Sequence, residues 1–224
     1  MELEVCADAQ AAAERGAALI LAETDAAITA RGQALIAVSG GHTPWAMLQA
    51  LARHGPDWSR IIIFQVDERD CPVNDDSRNL KHLRDNLPQK ARIEAMPVEA
   101  GEAGADQYAA RLVTVAGEPP VLDVIHLGLG PDGHTASLVP GDPVLEVRDR
   151  DVAWTQPYQE HRRMTLTYPV LDRARLAFWL VAGEEKRDAL QRLLAEDPGI
   201  PAGRVRAARR LVIADSAAAH KTTS

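Results

Sequence analysis

The chain has few cysteines, few aromatic residues, no basic excess and no long apolar run, and each shortage removes a class of function. Cys6 and Cys71 are its only cysteines, set far apart in 224 residues. They are too few for a disulfide framework or a cysteine-held zinc and suit a reducing cytosol. With 25 Lys and Arg against 32 Asp and Glu, a net charge of -7 and 4% aromatics, the sequence has neither the basic footprint nor the stacking surface of a nucleic-acid binder. No apolar stretch approaches the roughly 18 residues of a membrane span, and Met1-Glu2-Leu3-Glu4 lacks the basic start of a secretory leader. The expected location is therefore cytoplasmic, with no membrane or nucleic-acid partner. Histidines, cysteines and carboxylates do not fall at metal-ligand spacing, so no metal is expected. Arg204, Arg206, Arg209 and Arg210 read as a solvated rim.

What is present is an ordinary globular composition, 46% hydrophobic, without internal repeat or low-complexity linker. One domain over residues 1–224 is expected, with 221–224 frayed. Residues 7–30 read as a long alanine-rich helix stopped by Gly32. The apolar run 34–38 empties into Ser39-Gly40-Gly41, after which Thr43 and Pro44 suggest a cap and first residue for a helix ending near Gly55. The unit recurs at 61–66, followed by Asp67-Glu68-Arg69 and a helix over 77–87. Further strands are expected at 92–98, 121–127, 164–168, 176–182 and 211–214, with helices at 103–115 and 184–195. Alternation of this kind predicts an α/β fold with a parallel, doubly covered sheet.

In such a sheet the ligand crevice lies beyond the carboxyl ends of the strands. The polar segments 39–41, 67–69, 130–134 and 183–186 all follow predicted strands and should converge there. Residues 128–141, GLGPDGHTASLVPG, form the most informative loop. Histidine has a reference pKa of about 6.5, so His134 is the candidate general base, with Asp132 beside it to orient the ring. Ser39, Gly40, Gly41, His42 and Thr43 form a glycine turn at a helix start, where a phosphate is the natural occupant. Arg69 brings a planar fork for phosphate or carboxylate oxygens. Alternation along the strand should turn Glu68 away from Asp67. Lys186 near a helix start makes electrostatic sense if an anion sits there.

Other readings are weaker. Gly128, Gly130 and Gly133 satisfy a dinucleotide fingerprint, but Pro131 and Pro140 deny it the helix it needs. Residues 37–41 resemble a loosened nucleophile elbow that would make Ser39 the attacker, except that Ala37 stands where glycine belongs. His126 reads as a core histidine; His54, His82, His161 and His220 have no comparable setting.

The ordered blocks Ser39-Gly40-Gly41-x-Thr43-Pro44, Asp67-Glu68-Arg69, residues 128–141, Arg163-x-Thr165-Leu166-Thr167, Gly183-x-x-Lys186 and Asp215-x-Ala217-Ala218 resemble the 6-phosphogluconolactonases. The resemblance covers most of the chain. It implies a three-layer α/β/α, Rossmann-like, mostly parallel open sheet of the deaminase and isomerase type, and hydrolysis of a phosphorylated sugar lactone without cofactor or metal. It also implies that His134 activates water beside Asp132, while residues 39–43, Asp67, Arg69, Gly130, Arg163 and Lys186 hold phosphate and sugar oxygens. A small sugar phosphate is the implied partner, and a monomer or weak homodimer the expected state. His42 stands where that family commonly has Ser or Thr, Val139 where Phe is usual, and Arg78 separates Ser77 from Asn79 where the two are normally adjacent. A sugar-phosphate isomerase or deaminase on the same scaffold is the nearest rival, though residues 135–138 read TASL where the deaminases carry IAFN. A non-catalytic sugar-phosphate sensor is the other, and no segment is left over for the helix-turn-helix such sensors carry.

Overall fold

The computed structural model describes residues 1–219, so the readings made for His220 and for 221–224 lie outside the described residues. Seven strands form the main sheet: β1 (Glu2–Cys6), β2 (Ala34–Val38), β3 (Ile61–Gln65), β5 (Arg92–Glu94), β6 (Val124–Leu127), β9 (Leu176–Val181) and β10 (Arg210–Asp215). They run in the order β1-β10-β9-β6-β2-β3-β5, every pairing parallel. The uninterrupted burial of β2, β3 and β9 follows from cover on both faces. Ala34, Ile36 and Val38 face the layer of α1 (Ala9–Arg31), α2 (His42–His54) and α3 (Asn79–Asn86). Leu35 and Ala37 face the opposite layer of α4 (Ala103–Ala116), α5 (Tyr168–Arg173), α6 (Arg187–Leu194) and α7 (Ser216–Ala219). The chain is thus the three-layer α/β/α fold its sequence implied.

Local signals account for most boundaries. Asp8 caps α1 by accepting from the Ala11 amide at 2.8 Å, and Gly32 ends it in the left-handed region at φ 83°. Helix α2 departs from the reading of Thr43 as its cap. It begins at His42, behind Gly41, whose φ of 126° suits glycine and whose missing side chain offers no capping bond.

The predicted strand at 164–168 also needs correcting. β8 (Arg163–Leu166) stands outside the parallel sheet, pairing antiparallel with β4 (Asp67–Arg69) and with β7 (Val152–Trp154) in a small second sheet. The expected strand over 92–98 shrinks to the three residues of β5, with Met96 and Val98 continuing into core packing. β1, β4 and β7 were not anticipated as strands.

Topology places the site. From β2 the chain first builds outward to β3 and β5, then returns to β6 on the other side of β2 and continues to β9 and β10, against which the N-terminal β1 pairs as the edge strand. The β2/β6 boundary is therefore the switch point where loops diverge and leave a crevice. Residues 39–41 and 128–134 issue from those two strand ends.

Candidate active site

A cavity of about 200 Å³ opens at this switch point, lined by Ser39, Gly40, Asp67, Arg69, Gly130, His134, Arg163 and Lys186 together with Asn79, Gly128, Leu129 and Ala136. Eight of the residues singled out from the sequence thus meet in one hollow. Gly41, His42 and Thr43 line an adjoining cavity that shares Gly40, Gly128, Leu129 and Lys186 with the first. Asp132 is absent from the cavity wall; it sits behind His134.

The 128–138 loop is held by its own polar groups. The Gly130 amide donates to the His134 carbonyl at 2.9 Å, and the Gly133 amide to that of Gly130 at 2.9 Å. Thr135 donates its hydroxyl to the Gly128 carbonyl at 2.8 Å and accepts from the Trp179 indole at 3.2 Å. Ser137 donates to the Asp67 carboxylate at 2.6 Å. Ala136 is held at φ 51°, a strained conformation of the kind that gathers at functional loops. No helix opens behind Gly133, which removes the dinucleotide reading.

Asp132 Oδ1 lies 2.6 Å from His134 Nδ1 and also accepts the His134 amide at 3.1 Å. Burial pushes the Asp132 carboxyl up, but the His134 ring, its two hydrogen bonds and the Tyr158 phenol outweigh that, holding the carboxyl below its ordinary value. An ionised carboxylate only accepts, so Nδ1 carries the proton and Nε2 keeps its lone pair. Gly130 makes room for this pair: a Cβ there would lie 2.0 Å from Nδ1 and 2.6 Å from Asp132 Oδ1. Gly130→Ala is expected to displace the ring and cut kcat about 100-fold, with little change in thermal midpoint. Steady-state kinetics beside a melting curve checks this.

Three cations line the hollow together with Asp67: Arg69, Arg163 and Lys186. Arg69 donates to the Ser77 carbonyl at 2.7 Å and to Asn79 Oδ1 at 3.1 Å, so Asn79, unremarked in the sequence except as a spacing anomaly, fixes its fork. Arg163 is buried, its Nε has no hydrogen-bond partner, and burial pulls its guanidinium below the ordinary value against the opposing pull of Asp67. Lys186 enters no ion pair among the described residues. The first-turn amides of α2, left without a side-chain cap, add partial positive charge beside Lys186. A positive pocket in a net-acidic chain suits an anionic ligand.

Glu68 points away from Asp67, as alternation predicted, and organises the wall from behind. Fully buried, it accepts from the amides of Arg69, Asn79 and Leu80 at 2.8, 2.9 and 2.8 Å, locking β4 to the start of α3. Arg78 lies 3.4 Å from Glu68 and 2.8 Å from Glu99 and donates to the Cys71 carbonyl. This buried network absorbs the Arg78 departure without placing it in the hollow. Val139 is core, and His42 stands exposed at the mouth. Ser39 Oγ donates to the His126 carbonyl at 3.3 Å, an arrangement without the relay to histidine that a nucleophilic serine needs.

Among the described residues no three His, Cys, Asp or Glu side chains gather as a metal cluster, and no helix is long and apolar enough to cross a membrane. Tyr158, Ser137 and Trp179 are the contributors that the sequence reading passed over.

A family model described as glucosamine-6-phosphate isomerases/6-phosphogluconolactonase matches residues 7–213. The chain is 37% identical over 208 residues to a Synechocystis protein named 6-phosphogluconolactonase, with 88% of this chain and 86% of that one covered. It is likewise 37% identical over 220 residues to a Mycobacterium tuberculosis protein of the same name, covering 89% of each. The crystal structure of a 6-phosphogluconolactonase from Shewanella baltica superposes with a TM-score of 0.85 at 29% identity, over 96% of this chain and 98% of the other. A monomeric glucosamine-6-phosphate deaminase superposes with a TM-score of 0.83 at 17% identity, a likeness of fold alone. On these matches the chain belongs to the glucosamine-6-phosphate isomerase/6-phosphogluconolactonase family.

Proposed function

We propose that the chain is a single cytoplasmic lactonase domain that hydrolyses 6-phospho-D-glucono-1,5-lactone to 6-phospho-D-gluconate in the oxidative pentose phosphate pathway. The observation that carries the reading is the Asp132-oriented His134 in the same hollow as Arg69, Arg163 and Lys186. Relatives named 6-phosphogluconolactonase support the substrate. The free thiols Cys6 and Cys71 fit a reducing compartment.

The substrate phosphate rests between the residue 39–43 turn, Lys186 and Arg69, which holds C1 toward His134. Water attacks C1 while Nε2 takes its proton. The tetrahedral oxyanion forms among the pocket's cations and collapses with cleavage of the bond from C1 to the ring oxygen. His134 returns the proton to that oxygen as it becomes the 5-hydroxyl. The new carboxylic acid ionises to water, and the enzyme is restored.

The test is an assay on the purified protein with spontaneous opening subtracted, beside incubation with glucosamine 6-phosphate and detection of ammonia. Enzymatic lactone opening without ammonia is expected; ammonia release instead would make the chain a deaminase. Binding and chemistry should separate by residue. Lys186→Ala is expected to raise KM about 10- to 100-fold, the worth of one charge-assisted contact, and to lower kcat far less. Initial rates over a substrate series decide it.

A further inference from the structure

Tyr158 lies outside every motif considered above, yet it touches both halves of the site. Its phenol donates to Asp132 Oδ2 at 3.2 Å, the carboxylate oxygen that the His134 ring does not use. Its ring meets the His134 imidazole edge to face, centroids 5.7 Å apart at 67°. The Arg163 guanidinium lies over the same ring, 5.0 Å from its centroid. We infer that Tyr158 is a positioning residue that completes a Tyr158, Asp132, His134 relay and ties the general base to the buried Arg163.

The hairpin tip is built to deliver that side chain. The Tyr158 amide donates to the His161 carbonyl at 2.9 Å and the His161 amide donates back at 3.3 Å. Between them Gln159 and Glu160 both take positive φ, 48° and 69°, the geometry of a two-residue hairpin turn that usually requires Asn or Gly. Gln159 spends its side chain accepting from Arg163 at 3.2 Å. A strained turn kept tight beside the site is consistent with a demand for fixed placement.

The chemistry needs such a placement. A carboxylate torsion is broad and roughly two-fold, so an Asp132 held only through Oδ1 can rotate and take the imidazole with it. A donor on Oδ2 fixes both oxygens, and with them the His134 tautomer. Burial and the Asp132 charge push the phenol above its ordinary value, so it remains a donor at neutral pH.

The inference rests on His134 being the base, and the experiment separates the two claims. Tyr158→Phe keeps the ring under Arg163 and against His134 and deletes only the hydroxyl. It is measured for kcat and KM beside Asp132→Asn, the double variant, and His134→Ala. Tyr158→Phe should lower kcat about tenfold, the worth of one hydrogen bond to a charged group, with KM within about twofold. In the Asp132→Asn background the same change should cost nothing further, because its target has gone. Tyr158→Leu, which also removes the platform under Arg163, should add a rise in KM. A wild-type kcat in Tyr158→Phe with His134→Ala impaired overturns the Tyr158 role and leaves the base standing. An undiminished loss on Asp132→Asn, or a change confined to KM, also overturns it. Full turnover by His134→Ala removes the base and the relay together.

Discussion

Replacing His134 with alanine is expected to lower kcat by about 10² to 10⁴-fold while KM moves little, the range a positioned general base contributes. The ring's place explains the asymmetry. His134 lines the hollow, and its Nδ1 is committed to Asp132. The anchoring charges sit on other elements: Arg69 on β4, Arg163 on β8, and Lys186 in the turn after β9. Binding therefore survives the loss of the imidazole. His134→Gln, which keeps an amide near Asp132 without a usable lone pair for water, should be nearly as slow. Lactones open unaided, so the uncatalysed rate must be subtracted at every pH.

Acid stability should be governed in large part by His126, which takes no part in the chemistry. It is fully buried on β6, its ring 5.1 Å from Phe178, and both ring nitrogens lack a hydrogen-bond partner. Burial pushes its pKa down to about 3, against an ordinary 6.5. Above the ordinary value the ring is neutral in both folded and unfolded chains and pH has no leverage. As pH falls below it, the unfolded chain takes up a proton that the fold refuses, and the fold loses stability until the folded pKa is reached. The loss is on the order of 5 kcal/mol, a large share of the roughly 5–15 kcal/mol that holds a typical domain together. His126→Leu removes the titrating group and both orphaned nitrogens. Urea midpoints at pH 7.5 and pH 4 should therefore differ much less for this variant than for the parent. An equal acid decline in both would assign it to other groups.

The sequence disclosed the parallel framework because fully buried strands such as 34–38 and 61–65 are unmistakable apolar runs, and the glycine-rich exits of β2 and β6 marked the crevice between them. It disclosed less where strands are short and charged. Asp67, Glu68 and Arg69 read as a polar strand exit, yet they form β4 and pair with Arg163, Met164 and Thr165. Their burial is compensated by the Ser137 hydroxyl for Asp67 and by three backbone amides for Glu68, partners that no local periodicity encodes. Glu2, Leu3, Glu4 and Val5 alternate in polarity, but Leu3 and Val5 are exposed, so the pattern does not report a buried face and β1 is set instead by its parallel pairing with β10. Tyr158 was not. Nothing in Gln156-Pro157-Tyr158-Gln159 distinguishes a surface tyrosine from one folded back onto Asp132. Thr43 misled because a threonine before a proline imitates a cap, whereas the bare Gly41 leaves the α2 amides available to a ligand.

The central claim is geometric: one sugar phosphate spans the hollow, with its anion at the α2 turn and its reacting carbon at the imidazole. A crystal soaked with 6-phosphogluconate tests it most directly. The account predicts phosphate oxygens within hydrogen-bond reach of the Gly40 and Gly41 amides and of Lys186, with the C1 carboxylate beside His134 Nε2. A ligand bound in the reverse sense, phosphate against His134 and C1 at the α2 turn, would contradict it.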